Sequence, residues 1–387
     1  MPDFTRTLTA DAPEFVPAKR EQVATRLMFF IAGFATAAWA ALVPFARLNT
    51  GVSDAELGLL LLCLGGGALV AMPLTGPLTT RFGCRAVLIV TVLLFSMMLP
   101  LLSFIDSGLW LALALLVFGV GVGITDCAMN VQAIIVEKAA DRPVMSGFHG
   151  FYSVGGIAGA GAMSALMILG MSPLTASLTV SGTVLVLLAL SISGLLSYAN
   201  PSSGPAFAFP RGAVFLLGAV CFVSFLAEGA VLDWSAVFLT QYRELPEASG
   251  GLGFACFAAT MTLGRLTGDR IVAHFGAYRV VVVGALTAIC GFCLSVFVPH
   301  WLFSLCGYAL IGIGCANIVP VMFSAIGRQT SMPQAVAVPA VTTMGYLGIL
   351  AGPASIGFVA QFSSLPMAFL LVAALLLVVA LVARKAT

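Results

Sequence analysis

Twelve apolar runs limit what this chain can fold into. They cover roughly residues 25–48, 55–80, 85–105, 109–138, 144–170, 173–198, 211–240, 249–273, 279–298, 301–327, 335–361 and 365–383. A helix rises about 1.5 Å per residue, so runs of about 20 residues cross a hydrocarbon core about 30 Å thick. Inside that core a backbone must satisfy its own polar groups, which leaves helices or closed barrels. Barrel strands need only about ten residues, so runs of this length specify helices. The predicted fold class is an all-α membrane protein with twelve transmembrane helices. Composition agrees. Of 387 residues, 60% are hydrophobic and 8% are charged, where a soluble domain carries roughly 25% charged residues.

Residues 200–210, NPSSGPAFAFP, break the pattern with Pro, Ser and Gly and mark a linker. The predicted organisation is a cytoplasmic tail (1–24), a six-helix bundle (25–199), a cytoplasmic linker (200–210) and a second six-helix bundle (211–387). The bundles echo each other. LTG at 74–76 returns at 266–268, Phe82-Gly83 returns as Phe275-Gly276, and Gly155 and Gly159 return as Gly348 and Gly352. A shared offset of half the chain marks a duplicated bundle with its binding site between the halves. With the N-terminus inside, fifteen of the 17 Lys and Arg fall at or near cytoplasmic ends, Arg265 among them. Only Arg47 and Arg243 fall outside. Both termini are therefore expected in the cytoplasm.

Polar residues within the runs are the candidate sites. In the fourth run Gly119, Gly123, Asp126 and Asn130 recur at steps of four and three and share one helix face. That small, polar face is expected to meet a wet cavity, because an intramembrane carboxylate is costly elsewhere. The seventh run carries Glu228, with Ser224 one turn before it. The tenth carries Asn317, which the offset pairs with Asp126. The first carries Thr36 and Trp39. No basic residue is expected at this depth, which disfavours an anionic substrate. Carboxylates held out of water can exchange protons near neutral pH. Asp126 and Glu228 are thus candidate proton-coupling residues. Thr36, Trp39, Asp126, Asn130, Glu228 and Asn317 are candidate substrate-binding residues. Plainer readings stay open, since Asp126 could bond to neighbouring backbone and the asparagines could simply join helices.

The segment GPLTTRFGCR, between the second and third runs, resembles the Gly-x-x-x-Asp-Arg-x-Gly-Arg-Arg loop of the major facilitator superfamily. Gly76, Arg81, Gly83 and Arg85 fit it. Thr80 stands in the place of the usual Asp, and Cys84 in the place of the first closing Arg. The second half supplies GRLTGDRIVAHFGAYR, with Asp269 and Arg270 and altered spacing before Gly276. DCAMNVQ, SGFHGFYSVGG and EGAVLDWSA resemble a bacterial inner-membrane branch near the fucose permeases. The resemblance implies two pseudo-symmetric bundles that rock about a central cavity lined by helices one, four, seven and ten. It implies a cytoplasmic gate made of Arg81, Arg85, Asp269 and Arg270. It also implies a secondary transporter in the bacterial inner membrane; the two carboxylates favour coupling to protons and a small polar solute, sugar-like by the branch resemblance, and a monomer is expected. Efflux of cationic or amphipathic compounds is the alternative, and a transport-derived sensor is the alternative of another class.

Other classes find little support. The chain has no HExxH, no nucleophile motif and no GxxxxGK[ST] loop, and its three histidines lie far apart. Cys290 and Cys293 form a CxxC in purely apolar flanks. No enzyme activity, cofactor or metal is expected. A net charge of +2 gives no reason to expect a nucleic-acid partner.

Overall fold

The computed structural model describes residues 19–199 and 208–387. Most of the tail expected at 1–24 and most of the linker expected at 200–210 lie outside the described residues. The described chain is helical, without strands: α1 (Lys19–Thr50), α2 (Asp54–Ala71), α3 (Thr75–Leu102), α4 (Gly108–Ala140), α5 (Met145–Ile168), α6 (Pro173–Ser191), α7 (Ala213–Arg243), α8 (Leu252–Phe275), α9 (Ala277–Phe297), α10 (Trp301–Cys315), α11 (Ile318–Arg328), α12 (Gln334–Phe362) and α13 (Leu365–Ala386). α1 starts at Lys19, ahead of the apolar run. Hydropathy marks only the apolar part of a helix, and the polar first turn here still buries Glu21.

These helices form membrane-length spans with two interruptions. Residues Glu56–Leu102 make one long apolar stretch. It breaks at Gly83, whose φ of 77° and ψ of 162° lie outside the helical region. α2 with the start of α3 is one span, and the rest of α3 is the next. α10 and α11 together make another, interrupted at Asn317. By length and hydropathy ten stretches qualify among the described residues, and the break at Gly83 makes them eleven. α8 has 24 residues, about 36 Å of helix, enough to span. Arg265 and Asp269 lower its hydropathy, and the site explains why they are there.

The duplication legible in the sequence is built into the backbone. Gly276, between α8 and α9, has φ 78° and ψ 154°, the same turn as Gly83. A side chain would strain either turn. In the first half a Cβ on Gly155 of α5 would strike the Phe30 carbonyl of α1. In the second half a Cβ on Gly348 of α12 would strike the Phe222 carbonyl of α7. The α1–α5 and α7–α12 pairs thus come into backbone contact at corresponding places in the two bundles.

The cores show how the halves meet. One buried apolar cluster contains most of the first bundle. It also takes in the ends of the second bundle nearest the chain termini, among them Val214, Val281, Ile326, Val338 and Ala383. A separate cluster holds the opposite ends of the second bundle, with Phe238, Phe292, Tyr308 and Phe369. The halves share a core at the termini end and are parted at the other.

Candidate functional site

Where the halves part lies a cavity of about 650 Å³. α1 and α5 wall it from one half; α7, α8 and α12 wall it from the other. Its apolar wall includes Phe254, Phe257 and Met261. Its polar groups are Tyr152, Ser153, Glu228, Thr262 and Arg265.

Glu228 lies midway along α7, and the Arg265 guanidinium meets it at 3.3 Å. Their side chains are 13% and 8% exposed. Arg265 also donates to the Ala316 carbonyl at 3.3 Å and to the Ser153 hydroxyl at 3.1 Å. One guanidinium therefore joins α7, α8 and the α10–α11 break within the second half, and reaches α5 in the first. Here the structure corrects the sequence reading, which put Arg265 near the cytoplasmic end and expected no cation at this depth. Arg265 sits ten residues before Phe275, the last residue of α8, about 15 Å along the axis. A lone buried charge is costly, and Glu228 with two oxygen acceptors supplies the compensation.

Asp126 is part-exposed, but it is not in the cavity wall. Its electrostatic neighbours are Tyr152 of α5 and Tyr346 of α12. Tyr152 lines the cavity and feels both Asp126 and Glu228, and its phenol neighbours Thr36. The sequence reading missed Tyr152, because a tyrosine in a glycine-rich helix looks like packing. The face that carries Gly119 and Gly123 is turned differently from expectation. A Cβ on either residue would press on Leu64 or Ala68 of α2. Those glycines serve helix packing.

The other candidates are placed as follows. Thr36 bonds back to the Ala32 carbonyl at 2.8 Å. Trp39 is 3% exposed in the shared core. The Asn130 amide donates to the Asp126 carbonyl at 2.9 Å, on its own helix. Asn317 donates to the Gly264 carbonyl at 3.1 Å, pinning the α10–α11 break against α8. None of these four is in the cavity wall.

At the termini end, Asp269 of α8 accepts the Gly147 amide of α5 across the two halves at 3.0 Å. Arg85 stays within its own half and donates to the Leu195 carbonyl at 2.9 Å. Arg81 lies over its neighbour Phe82 and is exposed, as is Arg270. Of the four expected gate residues, Asp269 is the one bonded across the halves.

Two duplicated bundles, closed at one end around a part-polar cavity, are the architecture of a membrane transporter. The comparisons agree. No family model matches the chain. An uncharacterised MFS-type transporter of Yersinia pestis is 53% identical over 372 residues, covering 96% of this chain and 97% of the relative. The chain belongs to the major facilitator superfamily. Its fold is also that of the E. coli fucose:proton symporter FucP, with TM-score 0.77 and 17% identity over 96% of this chain and 99% of that one. The proton:xylose symporter XylE is similar too, with TM-score 0.70 and 12% identity over 95% of this chain and 94% of that one.

Proposed function

We propose that the chain is a proton-coupled secondary transporter of a small, hydroxyl-rich solute, working in a bacterial inner membrane with both termini in the cytoplasm. The observation that carries this is the Glu228–Arg265 pair, set in the wall of a cavity between the halves. A cavity of about 650 Å³ is within the usual range for small-molecule sites. Its hydroxyl, carboxylate and guanidinium groups suit a solute that both donates and accepts hydrogen bonds, and its phenylalanines suit the apolar face of a sugar ring. The two sugar:proton symporters of the same fold support this reading. In it, Glu228 takes up a proton from the open side and releases it on the other. Asp126, joined to the cavity through Tyr152, is the second proton carrier. Efflux of a cation is the weaker reading, because Arg265 would repel a cationic cargo from the cavity.

The test begins with a ligand-stabilisation screen over sugars, polyols and sugar acids, since a binder of the native state raises its apparent stability. The best binder is then offered to proteoliposomes with and without an inward proton gradient. Gradient-driven accumulation that a protonophore abolishes is the expected result. Equal uptake with and without the gradient contradicts the proposal.

A further inference from the structure

Among the residues that wall the cavity, Arg265 is the one base and Glu228 the one acid. A guanidinium has five N–H donors. Three are used here, on Ala316, Ser153 and Glu228. Two have no partner among the described residues. The contact to Glu228 is a single one of 3.3 Å, longer than the 2.7–2.9 Å of a strong charge-assisted bond and not bidentate. Arg265 is thus neutralised by Glu228 without being saturated by it.

We propose that the solute carries a carboxylate, as a sugar acid does, and that this carboxylate takes Arg265 when Glu228 carries a proton. The inference rests on the proton-coupled reading above and deepens it. With Glu228 ionised, the pair is neutral and a carboxylate entering the cavity meets Glu228 as a like charge. With Glu228 protonated, Arg265 is left as an uncompensated cation in a confined site, a costly state. A carboxylate restores neutrality and fits the planar fork of donors. The Ser153 hydroxyl and the Tyr152 phenol are at hand for the solute's hydroxyls. One proton and one monoanion would then enter together, and the cycle would move no net charge with that pair.

The groups facing this pair leave the exchange between Glu228 and the solute. Around Glu228 are Arg265 of α8, Tyr152 of α5, Cys221 of α7 and Cys315 of α10. Arg265 also faces His149 of α5. Asp126 of α4 interacts with Tyr152 and is outside the cavity wall. No second base lines the cavity among these residues, so a carboxylate has one place to go.

The test is binding to the purified transporter, without membrane or gradient. D-gluconate and D-glucuronate are compared with their uncharged counterparts sorbitol and D-glucose, by thermal stabilisation between pH 5 and 8. At least one carboxylate is expected to bind, with an apparent Kd that rises by up to about tenfold per pH unit once Glu228 ionises. The uncharged counterparts should bind at least tenfold more weakly at pH 5. Glu228→Gln should bind the carboxylate at every pH with little change in Kd. The double variant Glu228→Gln with Arg265→Gln, which leaves no unpaired charge, should lose it. Absent binding by both carboxylates, equal binding of charged and uncharged members, or a pH slope that survives Glu228→Gln overturns the proposal. Binding of the uncharged solutes alone would overturn this inference and leave proton-coupled transport standing.

Discussion

Asp269 in α8 accepts a hydrogen bond from the Gly147 amide in the first turn of α5 at 3.0 Å, one half of the molecule reaching into the other. Gly147 leaves the room, because a Cβ there would meet the Asp269 carboxylate. The acid also lies where the positive end of the α5 dipole points, which favours a carboxylate. Glu137 of α4 holds the same corner from the other side, accepting the Val144 and Met145 amides at 2.9 and 2.8 Å. In the first half Thr80 replaces the acid, so no matching carboxylate comes from that loop. Of the four residues expected at a gate, Asp269 is the one that adds a hydrogen bond across the halves to the shared apolar core at that end.

Asp269→Asn should loosen that end. Asparagine keeps an oxygen for the Gly147 amide but loses the charge, which is worth about 1 kcal/mol over a neutral bond, so the balance between outward- and inward-facing states should move several-fold toward inward-facing. Single cysteines labelled from each side would report it. Accessibility unchanged on both sides would give Asp269 a local role only.

Gly348→Val should destabilise the second bundle. The added side chain must displace the Phe222 carbonyl of α7, and overpacking of this kind costs about 1–3 kcal/mol. Gly155→Val should do the same in the first bundle, against Phe30. Thermal unfolding in detergent checks both. A variant as stable as the wild type would mean that the two helices separate without cost.

Trp39 and Asn317 should separate from Glu228 in their effects. Trp39→Ala empties a fully packed place in the core, at about 3–5 kcal/mol. Asn317→Ala loses a helix-to-helix bond of about 1 kcal/mol. Both should lower stability, and protein that remains folded should keep the wild-type affinity for the solute. A loss of affinity without a loss of stability would return these residues to the binding site.

These contrasts show what the sequence carries and what it does not. Apolar runs and the offset repeats report length and duplication, so the fold and the Gly83 and Gly276 turns were legible. Asp126 and Glu228 were legible because a carboxylate deep in such a run is expensive wherever it points. Arg265 was not, because hydropathy falls across Arg265, Asp269 and Arg270 together and moves the apparent membrane edge toward all three. Helical spacing showed that Gly119, Gly123 and Asp126 share a face. It could not show that α2 takes the glycines while Tyr152 and Tyr346 take the acid. Arg85 looked like a gate because of its motif, yet its bond runs to α6's end of its own half, a choice made by tertiary packing.

Asp126→Asn should uncouple without disarming. The amide keeps the size and polarity of the acid beside Tyr152 and Tyr346 but cannot release a proton. The variant should exchange solute across the membrane in counterflow at a rate within a few-fold of wild type, and fail to accumulate it against a gradient. Full accumulation by this variant would make Asp126 structural and leave coupling to Glu228 alone.

Glu228, held by Arg265 in the cavity wall, is the proposed carrier of the coupled proton, and Glu228→Gln in proteoliposomes is the decisive variant. Glutamine keeps an oxygen acceptor for Arg265 but takes up no proton, and it leaves the guanidinium charge for the solute's carboxylate to meet. Solute and proton movement are measured together, the protons by a pH dye in the lumen, under an inward proton gradient and then in counterflow. Counterflow within a few-fold of wild type, with accumulation and solute-dependent proton entry both lost, is the expected result. Solute-dependent proton entry at the wild-type rate in Glu228→Gln would mean that another group carries the proton.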